Sequence, residues 1–132
     1  MSIAIGKEQF NTAVMKSESG HLSLVQFKTE WSGACQIIAP VYEELSKCYN
    51  GIADFFSIDV EQEADMEKEY GVLELPTILF FKNGELIDHV IGLTPKNALI
   101  LKIENALPER WRENEAGKGE RNKEPGRGGN EG

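Results

Sequence analysis

The stretch FKTEWSGACQIIAP, residues 27–40, is where one hydrophobic pattern hands over to another. Before it, the run LSLVQF (22–27) is mostly apolar and of strand length, as a strand buried on both faces would be. After it, Ile37, Ile38, Val41, Leu45 and Cys48 recur at three- and four-residue spacing, which predicts a helix from Gly33 to Tyr49. Pro40 inside that helix removes one backbone donor and predicts a kink. A Trp, a short loop and a Cys at a strand-to-helix junction suggest a redox-active thiol at a helix start. A dithiol of the Cys-x-x-Cys kind would need its other Cys at position 32, and that residue is Ser32.

Working outward, short strands alternate with helical patterns. SIAI (2–5) reads as a brief strand. KEQFNTAVMKSE (7–18) puts Phe10, Val14 and Met15 on one helical face. IADFFSIDV (52–60) is a second buried strand, and EADMEKEYG (63–71) is a short acidic helix closed by Gly71. In PTILFFKNGELIDHVIG (76–92), Asn83-Gly84 between apolar runs predicts a hairpin, because both positions of a type I′ turn need positive φ. Thr94 is the expected cap of the last helix, with Pro95 at its first position and an end near Leu107. The order β-α-β-α-β-α-β-β-α implies an α/β fold, a central mixed β-sheet flanked by helices on both faces.

At 132 residues and 40% hydrophobic content, one domain is expected, over residues 1–107. The rest, PERWRENEAGKGERNKEPGRGGNEG (108–132), has Trp111 as its only large apolar group and reads as a charged, Gly-rich tail, mostly disordered from about residue 113. Net charge is −8, and residues 1–107 carry all of it, with 16 acids against 8 lysines. An acidic surface disfavours nucleic acid and anionic membranes and favours basic partners. The single GRGG is too little for an RNA-binding tract. Without a basic then apolar N-terminal segment or a spanning run, a cytoplasmic protein with no membrane partner is expected. Cys35 and Cys48 lie 13 positions apart in one predicted helix, about 20 Å along its axis, too far to pair. His21 and His89 are scattered, the acids of 59–69 lack calcium-loop spacing, and no phosphate loop occurs, so neither metal nor cofactor is expected.

These landmarks together resemble the thioredoxin family over roughly residues 3–107. FKTEWSGACQIIAP is similar to the family's active-site stretch, in which Trp-Cys-Gly-Pro-Cys precedes a helix with a kinking Pro. YGVLELPTILFFKNGE (70–85) is similar to the stretch around the family's cis-proline, with Pro76 in that place and Thr77 after it. VIGLTPK (90–96) is similar to the turn that leads into the last helix, with Gly92 in place. The resemblance implies the thioredoxin fold and a groove for a client's extended segment, formed by Trp31, Ser32, Gly33, Ala34, Leu75, Pro76, Thr77 and Gly92. It also implies thiol-redox chemistry and a part in cell redox homeostasis.

This chain departs from the family where the chemistry sits. Ser32 stands at the nucleophile's position, Ala34 at that of the family's Pro, Gln26 at that of its buried acid and Phe55 at that of the Lys often paired with the acid. Glu74 replaces a Gly-like residue beside the groove. Only a thiolate attacks a disulfide at neutral pH, so the active site is degenerate and dithiol reductase activity is not expected. Ser32 is instead suited to cap the helix by accepting from the Cys35 amide. Cys35 is the residual thiol. The helix dipole favours a thiolate there by only about 0.3–1 kcal/mol, and burial opposes it by more, which makes an inert thiol the expectation. Two functions follow from the resemblance. The first is a module binding protein or peptide segments in the cis-Pro groove. The alternative is a monothiol redox protein forming mixed disulfides through Cys35, with glutathione, a client or a reductase as partner.

Overall fold

The computed structural model describes residues 2–107; the readings made for residues 108–132 lie outside them. Strand β1 (Ile3–Ala4) is followed by α1 (Lys7–Phe10), which runs on as a π-helical turn over Asn11–Met15. Then come β2 (Leu22–Lys28), α2 (Gly33–Cys48), β3 (Ala53–Asp59), α3 (Ala64–Glu69), β4 (Thr77–Lys82), β5 (Glu85–Ile91) and α4 (Lys96–Ala106). The five strands form one mixed sheet in the order β1-β3-β2-β4-β5. Strand β3 pairs in parallel with β1 and β2, whereas β4 pairs antiparallel with β2 and β5.

Why β2 and β4 read as apolar runs is evident from the layers. In a strand, successive side chains point to opposite faces. Leu22 and Leu24 face a core made by Ile38, Tyr42 and Leu45 of α2 with Leu99 and Ile103 of α4. Val25 and Phe27 face the other core, which holds Phe10, Val14 and Met66. With helices on both faces, both sides of the central strands are mostly apolar.

At the hairpin, Asn83 (φ 51°) and Gly84 (φ 79°) both take the left-handed conformation that the Asn-Gly pair predicts. The turn is also packed: a Cβ on Gly84 would run into the carbonyl oxygen of Met15. Asn83 Oδ1 accepts from the Gly20 amide at 2.9 Å, tying the turn to the loop before β2.

Three local expectations are corrected. Ile37 is 62% exposed, and Cys48 is exposed as well. Once Ile38, Tyr42 and Leu45 take the inward side of α2, a turn of about 100° per residue swings Ile37 and Cys48 to the same outer flank. Tyr42, absent from the predicted apolar set, is fully buried, and its hydroxyl donates to the carbonyls of Phe56 (2.6 Å) and Leu24 (3.1 Å). Burial and the neighbouring Glu43 hold that phenol well above its ordinary range, so it stays a neutral donor. At the last helix, Pro95 holds the cap position with extended backbone, and α4 begins at Lys96. Thr94 does not cap, because its hydroxyl donates to the carbonyl of Gly92 at 3.2 Å.

Candidate functional site

Sheet register decides which residues share an end of the molecule. Phe27 pairs with Thr77, and Thr77 pairs with Ile91. The chain leaving β2 toward α2, the chain entering β4 and the chain leaving β5 therefore emerge together. Trp31, Ser32, Gly33 and Ala34 come from the first, Leu75, Pro76 and Thr77 from the second, and Gly92 from the third.

Ser32 sits just before α2 with extended backbone, and its Oγ accepts from the amide of Cys35 at 3.2 Å. That bond satisfies one of the helix's otherwise unpaired N–H groups. Gly33 and Ala34 form the first positions of α2. Gln36 Nε2 donates to the carbonyl of Glu30 at 2.8 Å and fastens the loop to the helix. Trp31 is 77% exposed, and its indole N–H donates to Glu61 Oε1 at 3.2 Å. Nothing local in the sequence signals that bond, since the partners lie 30 positions apart.

Cys35 is 4% exposed, and its thiol is free. It shares the lining of a cleft of about 490 Å³ with Gln26, Ser57, Ala39, Glu43 and Ser2. Gln26 is 3% exposed, and among the described residues its Nε2 has no hydrogen-bond partner. Ser2 closes one side of the cleft, its backbone N–H donating to Glu43 Oε1 at 3.0 Å and its hydroxyl to Oε2. Partial burial pushes the Glu43 carboxyl up, but the bonds from Ser2 outweigh it and leave the group below its ordinary range. Phe55 is core, stacked edge-on against Tyr42 with ring centres 5.2 Å apart. No ionisable pair thus stands behind Cys35 at positions 26 and 55.

On the other side of the site, the Leu75–Pro76 peptide is cis and Pro76 is buried. The Pro76 carbonyl accepts from the Gly92 amide at 2.7 Å, and Thr77 Oγ1 donates to the carbonyl of Glu74 at 2.6 Å. Gly92 adopts φ 80°, and a Cβ built on it would lie 2.5 Å from Glu74 Oε2. The Glu74 carboxylate therefore rests directly on the Gly92 backbone. Beside it, a second cleft of about 450 Å³ is lined by Val72, Leu73, Leu79, Leu86, His89 and Ile91, with Glu74 and Thr77 at its edge. Among the described residues no group of three or more His, Cys, Asp or Glu could hold a metal ion, and no helix is long and apolar enough to cross a membrane.

Set against known proteins, residues 2–105 match the thioredoxin family profile. The chain is similar to thioredoxin from Staphylococcus epidermidis, with 44% identity over 92 residues, spanning 70% of this chain and 88% of that protein. Thioredoxin from Staphylococcus aureus (strain Mu50) is 43% identical with the same coverage.

Proposed function

This chain belongs to the thioredoxin family, and from that premise we propose that it binds extended protein or peptide segments in the groove between Trp31 and Pro76 with little or no disulfide turnover. The observation that carries the reading is at Ser32. The residue at the position of the family's nucleophile is a hydroxyl, and that hydroxyl is committed to the Cys35 amide. A serine cannot supply the thiolate that disulfide exchange requires. The groove residues remain suited to recognition: Trp31 is exposed, Pro76 and Gly92 are held together by a backbone bond, and Leu73 and Ile91 are exposed beside them. An extended client would lie beside Pro76 with strand-like backbone pairing. A cytoplasmic setting suits two free cysteines.

Monothiol exchange through Cys35, with glutathione or a reductase as partner, is the competing reading. The free thiol at a helix start favours it, and the 4% exposure of Cys35 weighs against it. The two separate in one titration of wild type and Cys35→Ala, both carrying Trp111→Phe, with an extended Leu-rich peptide whose one cysteine is a glutathione mixed disulfide, so that attack by Cys35 would release glutathione thiol; the titration is read by Trp31 fluorescence and by the Gly92 amide resonance. Groove binding predicts equal affinities and movement of both signals. Affinity that disappears with the thiol, or binding that leaves both signals still, contradicts it.

A further inference from the structure

We infer that the groove selects basic segments: the client's extended chain carries a Lys or Arg opposite Glu74, flanked by a large apolar residue seated among Val72, Leu79, Leu86 and Ile91. This inference rests on the groove-binding reading and adds the chemistry of the occupant. Glu74 is the first reason. Its carboxylate lies on the backbone of Gly92, with Oε2 2.5 Å from where a Cβ there would be, so a strand laid along Gly92 and Pro76 meets a negative charge. Glu61 is the second. Its Oε1 accepts from the indole N–H of Trp31, the exposed residue on the other side of Pro76 in the proposed groove. Among the described residues, neither carboxylate has an ion pair with Lys or His. The lysines that are paired, Lys7, Lys96 and Lys102, pair with Glu69, Glu44 and Asp88.

Apolar surface supplies the rest. Leu73 is 97% exposed, and Ile91, Leu93 and Leu86 are each about half exposed. Exposed apolar side chains rimmed by charge mark protein-binding surfaces. A Lys or Arg stem can lie along such a surface while its head reaches a carboxylate. An acidic client would set like charges side by side at Glu74, which binding surfaces use to reject wrong partners.

The test titrates the full-length protein with three blocked extended peptides that differ only at one central residue, Lys, norleucine or Glu, between Leu and Val. Wild type should bind the Lys peptide about five- to tenfold more tightly than the Glu peptide, with norleucine between them. Glu74→Gln should shrink that ratio to about twofold or less, and Glu74→Lys should reverse the order. If the peptides bind at the groove with equal affinity, or Glu74→Gln keeps the full preference, the inference is overturned while groove binding stands. If none of the peptides binds, both fall together.

Discussion

Ser32 and Tyr42 show how single side chains hold the site. Ser32 caps α2 through the Cys35 amide, and Ser32→Ala should lower stability by about 1 kcal/mol in a denaturant titration without changing the groove's peptide affinity. A larger loss in affinity than in stability would give the hydroxyl a part in recognition. Tyr42 ties α2 to the sheet through the carbonyls of Phe56 and Leu24. Tyr42→Phe should cost about 1–2 kcal/mol by the same measurement, and no loss would mean that water replaces the phenol. The identities of Ser32, Gln26 and Phe55 were legible as departures because the flanking motifs fix their register. Their surroundings were not. That Gln26 Nε2 finds no partner among the described residues, and that Glu61 takes the Trp31 N–H, depend on side chains brought from other elements.

Among the elements, the strands and the hairpin were legible because burial on both faces and the Asn-Gly turn leave few alternatives. The orientation of α2 was harder to read. Ile37 and Ile38 are adjacent and equally apolar, and the inward side is set by Tyr42 and Leu45, which bury with Ile38. The π-helical turn over Asn11–Met15 leaves no signal in hydrophobic spacing, since Phe10 and Val14 keep their four-residue interval. Helix α4 is tied to β5 by Lys102, whose Nζ donates to Asp88 Oδ1 at 3.0 Å. Partial burial pushes the Asp88 carboxyl up, but the bonds from the His89 amide and Lys102 win and lower it below its ordinary value. A carboxyl lowered on folding adds stability above its unfolded value, about pH 4, and that contribution is lost as pH falls toward the folded value. Asp88→Asn should therefore flatten part of the decline in melting temperature below about pH 4. An unchanged acid limb would show that the tie contributes nothing.

For the whole molecule, residues 1–107 carry a net charge of −8, which favours approach of a basic partner over an acidic one. Association with a basic peptide should be fast at low salt and slow as ionic strength rises past about 0.1 M, where the screening length shrinks to about 10 Å. A rate independent of salt in stopped-flow Trp31 fluorescence of a Trp111→Phe variant would show that the field plays no part. The architecture was legible from element order and three motifs, whereas the way Glu74 reaches across to Gly92 required the folded sheet. Binding without thiol turnover on this thioredoxin-family scaffold is tested by alkylation of the native protein with iodoacetamide at neutral pH, scored at each cysteine by peptide mass spectrometry. Exposed Cys48 should be labelled while buried Cys35 stays unlabelled until denaturant is added. Prompt labelling of Cys35 in the folded protein would contradict it and make the thiol an active one.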